Sequence, residues 1–205
     1  MSRSKVEPKA DPKEDILRAA EHILGTSGVD AATVRAITGL AGVNTAAVNY
    51  HFGSRDDLFQ VICGRRMQPA NRAILDHLDA LEVRPERPRV ADIFRPLVET
   101  ALTVWVQDDV LRALRSLLFL NPQTVESLNV SQMGEIYARM RGALRQACPE
   151  MAVQDVRRRF QLAMGTIMNT VHQEDAEFVW SHDEITVDDL VAFIAAGFGE
   201  ADHGS

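Results

Sequence analysis

A chain of 205 residues, 46% of them apolar, can bury one large core or two smaller ones. Its longest mostly apolar run, residues 190–198, falls far short of the ~20 residues that span a bilayer, and Met1 opens a charged, proline-containing arm instead of an apolar signal segment, so a cytoplasmic protein with no membrane partner is expected. Cys63 and Cys148 lack the paired spacing of a zinc site and the density of a disulfide scaffold, so both are read as free thiols, and a net charge of −7 disfavours nucleic acid as a partner unless the basic residues are segregated.

Residues 1–12 carry Arg3, Lys5 and Lys9 with no apolar period, the signature of a flexible basic arm. After Pro12, Ile16, Leu17, Ala20, Ile23 and Leu24 make one stripe of an amphipathic helix that should end near Gly28. A short second helix is expected over 33–40 with Val34 and Ile37 inward, followed by a sharp turn at Gly42, which is free to adopt positive φ. Asn44 can cap a third helix running to about Phe52, with Val43, Val48 and Phe52 in the core. Ser54 with Asp57 resembles a capping box opening a fourth helix, in which Pro69 should force a kink or a break. Residues 84–88 read as a loop. Further helices are expected over 90–107, 109–120, 123–147, 153–173 and 186–198. Nothing alternates with period two, so the fold class is all-α, with no internal repeat.

Charge divides the chain in the same way as its pattern. Residues 1–66 hold nine Lys and Arg against eight Asp and Glu, a net +1, whereas residues 67–205 hold 13 against 21, a net −8. Three short helices, the second and third joined by a tight turn, fit the helix-turn-helix plan, in which the third helix enters the major groove of double-stranded DNA. The residues themselves are more specific. AGVNTAAVNYHFGSRDDL at 41–58 closely resembles the signature of the tetracycline-repressor (TetR) family, and ILRAAEHILGTSGVDAATVRAIT at 16–38 continues the resemblance through Gly28, Thr33, Val34, Arg35 and Ile37.

The resemblance implies a helix-turn-helix DNA-binding domain over 13–66 and a helical ligand-binding and dimerisation domain over 67–205. It implies base contacts from Thr45, Ala46 and Asn49; an asparagine amide can bond an adenine edge bidentately, and an alanine methyl suits a thymine methyl. Thr33, Arg35, Tyr50 and His51 resemble family residues that hold phosphates, and Arg55 keeps the charge of the family's usual lysine. Ala32 and Ala47 depart from the pattern, standing where many members place a hydroxyl, which puts one capping bond and one phosphate contact in doubt. The stretch RRMQPANR, 65–72, resembles a subgroup with fatty-acid-responsive members, which implies a small apolar or acyl effector. Arg65, Arg66 and Arg72 are then either partners for its carboxylate or a solvated charged face.

In the second part Phe94, Trp105, Met140, Met164 and Met168, with Leu97, Leu114, Leu118, Leu144 and Phe160, recur at helical spacing and either line an effector chamber or fill the core. The last two helices present Val153, Val156, Phe160, Ile167 and Val171, then Val187, Leu190, Val191, Ile194 and Phe198. In the family the corresponding pair forms the homodimer, as a palindromic operator requires. The run Arg157 to Arg159 points in three directions around a helix, the pattern of surface ion pairing. No Gly-rich phosphate loop, metal-spaced His/Cys set or nucleophile with a base is present, and His22, His77 and His172 are scattered. Neither catalytic residues, metal nor cofactor is expected. The reading is a ligand-released repressor; the alternative is a regulator that keeps the fold and acts through protein partners.

Overall fold

The computed structural model describes residues 11–120, 133–173 and 185–199. Among the described residues there are nine helices and no strand: α1 (Pro12–Ala31), α2 (Val34–Ala41), α3 (Ala46–Phe52), α4 (Arg55–Glu82), α5 (Val90–Gln107), α6 (Asp109–Leu120), α7 (Gly134–Ala147), α8 (Val153–Gln173) and α9 (Val187–Gly197). The chain divides into two compact units, Met1–Arg65 and Arg66–Ser205. Most of the basic arm, the 123–132 part of one expected helix, and the side chains of Leu118 and His172 lie outside the described residues.

In the first unit α1, α2 and α3 pack against one another in all three pairings. Asp11 caps α1 by accepting from the Lys13 N–H at 3.0 Å, which sets its start at Pro12. The helix is interrupted at Gly28, whose φ of 79° and ψ of 179° are non-helical, before a last turn to Ala31. Ile16, Ala20, Leu24, Ile37 and Val48 form the buried seam. Val34, Val43 and Phe52, expected in the core, are only half-buried, because helices of two turns each offer too little inward face.

In the second unit α5 is the central element, packing on α6, α7, α8 and α9. Its buried residues Val90, Ile93, Phe94, Leu97, Val98, Ala101 and Trp105 follow a helical stripe. The Phe94 ring lies 6.0 Å from Phe160 and 5.8 Å from Phe198, so one aromatic cluster joins α5, α8 and α9. Neither proline breaks its helix: α4 runs through Pro69 and α5 through Pro96. A proline removes one backbone donor, leaving the carbonyl four residues earlier without its helical partner. For Pro96 that carbonyl is Asp92, and His77 Nε2 of α4 donates to it at 3.0 Å.

α4 is pinned to the rest of the second unit at two further points. Arg66 Nη1 donates to Asp108 Oδ2 at 2.7 Å, and Arg139 of α7 reaches Asp79 at 2.6 Å and Glu82 at 2.9 Å. The hydrogen bond to Glu82, then that to Asp79, raises the Arg139 pKa above its ordinary value, locking in its charge. At the start of α9, Thr186 and Asp189 make a reciprocal capping box, and the Thr186 hydroxyl and backbone N–H lower the Asp189 pKa.

Candidate nucleic-acid interface

Thr33 ends an extended segment and caps α2, its Oγ1 accepting from the Ala36 N–H at 3.2 Å. The capping bond that Ala32 put in doubt is therefore made one residue later, while Ala32 is fully buried. α2 stops at Gly42, in the left-handed conformation at φ 68°, ψ 27°. There the Val43 N–H donates to the Thr38 carbonyl at 3.0 Å and the Gly42 N–H to that of Gly39 at 3.4 Å, a Schellman closure that satisfies two terminal carbonyls. Thr38, 1% exposed, donates its hydroxyl to the Val34 carbonyl at 2.8 Å and so sits in the core without an orphaned polar group.

Asn44 then starts α3, its Oδ1 accepting from the Ala46 N–H at 2.9 Å, with the Thr45 hydroxyl 3.4 Å away. Val48 is the fully buried residue of α3, so its seven residues turn one side inward and leave Thr45, Ala46, Asn49 and Tyr50 exposed, Tyr50 to 85%. Tyr50 and His51 meet edge to face with centroids 4.9 Å apart. Lys13 lies 5.8 Å from the centre of the Phe52 ring, linking α1 to the end of α3. Gly53, at φ 91°, turns the chain, and Ser54 caps α4 by accepting from the Asp57 N–H at 3.0 Å.

All eight expected contact residues fall on this one segment. Thr33, Arg35, Thr45, Ala46, Asn49 and Tyr50 are exposed, while His51 and Arg55 are half-buried. Arg55 lies 3.6 Å from Asp56 and its guanidinium sits 5.3 Å from the Phe59 ring centre, which holds the charge beside the end of α3.

The expected effector residues are not gathered in the same way. Phe94 and Met140 are fully buried, Trp105 is 8% exposed, and Met164 and Met168 are half-buried on α8. An open hollow of about 470 Å³ lies elsewhere, at the α7–α8 corner, lined by Gly142, Arg145, Gln146, Cys148, Pro149, Met151 and Val153. Each arginine weighed as a partner for an effector carboxylate already faces a carboxylate of the chain: Arg65 with Glu14 at 3.1 Å, Arg66 with Asp108 at 2.7 Å, Arg72 with Asp76 at 3.6 Å. In the arginine run, Arg158 pairs with Asp155 at 3.2 Å, and Arg159 donates to the Gly197 carbonyl at the end of α9.

Most residues expected at a dimer interface are instead core of the protomer. Val156, Phe160, Ile167, Val171, Leu190, Val191, Ile194 and Phe198 are at most 5% exposed, because α8 and α9 spend that face on α5. Outward, the same helices show Leu162 at 72% and Phe193 at 67%. Period alone marks an apolar stripe without saying what it packs against, which is why these two were missed.

A family model described as "Bacterial regulatory proteins, tetR family" matches residues 16–62, and one described as "Tetracyclin repressor-like, C-terminal domain" matches 93–197. The HTH-type transcriptional repressor BepR of Brucella suis biovar 1 (strain 1330) is 32% identical over 109 residues, 53% of this chain and 49% of its own length. The nicotine-responsive repressor HdnoR of Paenarthrobacter nicotinovorans is 29% identical over 102 residues, 49% of this chain and 53% of its own. The chain thus spans about half the length of these curated relatives. Among solved structures, RolR in complex with resorcinol superposes with a TM-score of 0.61 at 15% identity, over 91% of this chain and 85% of its own. The fatty acid degradation regulator FadR from Bacillus halodurans superposes at 0.59 and 17% identity, over 94% and 95%. At these identities the likeness is one of fold.

Proposed function

Because the chain belongs to the TetR family of bacterial regulatory proteins, we propose that it is a cytoplasmic, homodimeric repressor that reads a palindromic operator and releases it when a small apolar effector binds. The observation that carries the reading is the α2–turn–α3 segment. It is closed by the Gly42 and Asn44 caps and anchored by Val48, so that Thr45, Ala46, Asn49 and Tyr50 are left outward on a rigid frame. In this reading Thr45, Ala46 and Asn49 read base edges, while Thr33, Arg35, Tyr50, His51 and Arg55 hold phosphates and fix the register. The Thr33 oxygen accepts from Ala36 in its capping bond, and its hydroxyl proton still points to a phosphate role.

Residues 13–66 serve as the DNA-reading domain and 67–205 as the effector-binding and dimerising one. Two recognition helices must meet half-sites about 34–36 Å apart, and an effector that alters their separation opposes DNA with a coupling of ~1–3 kcal/mol. Support for an effector comes from the relative named as nicotine-responsive and from the half-buried methionines Met164 and Met168, whose flexible side chains can repack around a ligand; Phe94, Trp105 and Met140 are the further residues of this proposed chamber. The subgroup resemblance favours an acyl compound for this role.

Fluorescence anisotropy with a duplex from the promoter beside the protein's own gene, against a scrambled duplex at equal salt, tests the reading. Specific binding should fall steeply with salt, and Asn49→Ala with Tyr50→Ala should abolish the preference while leaving the thermal midpoint unchanged. Equal, weak binding to both duplexes overturns it.

A further inference from the structure

Where α7 ends and α8 begins, residues 148–152 turn beside the open hollow of about 470 Å³, a size that suits a small organic ligand. Much of its wall is apolar. Met151 is half-buried, and Val153, the first residue of α8, is 60% exposed, with Pro149 also in the lining. Its polar side chains are those of Arg145 and Gln146, both exposed near the end of α7.

Charge sets this corner apart from the rest of its unit. Residues 67–205 are net −8, yet no acidic residue lines the hollow. The carboxylates that flank the lining along the chain are already matched: Glu150 lies 3.7 Å from Arg87, and Asp155 lies 3.2 Å from Arg158. Arg145 has no such partner among the described residues, so the hollow presents a cation. Gly142, inside α7, lines the same space. A glycine within a helix is destabilising relative to alanine, and close packing is a common reason for it. Packing is not the reason here, because a Cβ at Gly142 would meet nothing within 4 Å. The absent side chain leaves room one helical turn from Arg145.

We propose that this hollow is a second small-molecule site, separate from the effector chamber, and that it takes a small organic carboxylate with a compact apolar body. The paired N–H donors of the Arg145 guanidinium match the two carboxylate oxygens, and the apolar body lies against Met151 and Val153. A single guanidinium on an apolar wall suits one negative charge, whereas a phosphate dianion calls for further donors. The site involves neither DNA nor the reading segment, so it stands or falls apart from the regulatory reading.

TROSY NMR of the full isotope-labelled chain, titrated with benzoate, tests the proposal. The amides of Gly142, Gln146 and Met151 should follow one saturable curve with a midpoint of ~1 mM, the affinity class of a ligand of so few atoms. Arg145→Gln, which keeps a hydrogen-bonding side chain without the charge, should weaken that midpoint about tenfold, and benzyl alcohol, similar in size and uncharged, should bind the wild type about tenfold more weakly than benzoate. Gly142→Leu, which fills the space without meeting a neighbour, should remove the curve and leave the thermal midpoint at least as high as in wild type. The exposed Arg145 keeps the test decisive should Gly142→Leu fail to fold. Absence of a saturable shift at these amides overturns the proposal, as does a curve that Arg145→Gln leaves unchanged or benzyl alcohol binding as well as benzoate. Shifts confined to the surroundings of Met164 and Met168 overturn it by placing benzoate in the effector chamber. Corner shifts that track protein concentration instead of benzoate overturn it by making the hollow an interface between copies.

Discussion

Gly42 and Gly39 lie three residues apart in the same turn and should respond to alanine with opposite signs. At Gly42 a Cβ would meet nothing within 4 Å, but φ is 68°, so Gly42→Ala should cost about 1 kcal/mol through backbone strain alone. Gly39 is helical and equally open, so Gly39→Ala should stabilise by about 0.5 kcal/mol; urea unfolding of the two variants checks both signs. Tyr137 offers a titration. Burial pushes its phenol up to about 12 from 10.0, with its ring 5.7 Å from that of Phe160. A folded pKa above the unfolded one means that the neutral phenol stabilises the fold fully below pH 10 and that this contribution is lost as the pH rises through 12. Phenolate absorbance should show one of the two tyrosines ionising near pH 12, and Tyr137→Phe should remove that step. Residue-scale readings of the sequence succeeded where the controlling partner is a few residues away, as for Gly42, Asn44, and Ser54 with Asp57. They do not reach Asp108, whose partner Arg66 stands 42 positions earlier on α4.

Helix boundaries were legible for the same local reason. The expected spans 90–107, 109–120 and 153–173 coincide with α5, α6 and α8, whose starts and stops are set by caps and stripes within one or two turns. The effect of a proline was less so. Pro69 was expected to kink or break α4, and the helix continues through it without a break. Tertiary partners decide such cases, and Pro96 displays one: His77 donates to the carbonyl the proline orphans. His77→Leu should therefore cost ~1 kcal/mol, because a part-buried carbonyl is left without its donor. In a Pro96→Ala background, where a backbone N–H is restored, the same substitution should cost well under ~1 kcal/mol, and a double-mutant cycle by urea unfolding measures the difference. Equal costs in both backgrounds would mean that the histidine packs rather than donates.

For the whole molecule the decisive question is which faces of α8 and α9 are spent inside the protomer. Leu162 and Phe193 are the most exposed of the large apolar side chains described on these helices, whereas Val191, 2% exposed, lies in the core. Sedimentation should find a dimer that Phe193→Asp or Leu162→Asp splits into folded monomers, while Val191→Asp should instead unfold the protomer, since burying a lone carboxylate costs several kcal/mol. A dimer unmoved by either surface substitution would place the interface elsewhere. By itself the sequence determined the all-α class and the course of the first three helices, with the turn at Gly42 and the cap at Asn44. Those features follow from hydrogen bonds and apolar periods closed within a few residues, and from a signature short enough to sit on one stretch of chain. Tertiary structure alone decided that Arg65 and Arg66 face carboxylates of the chain, that the apolar stripes of α8 and α9 feed the protomer core, and that Asp108, between α5 and α6, meets Arg66 of α4. Each of these depends on a partner 42 or 51 positions away or on another helix altogether, and an apolar stripe or a lone charge reads the same whichever neighbour folding brings to it.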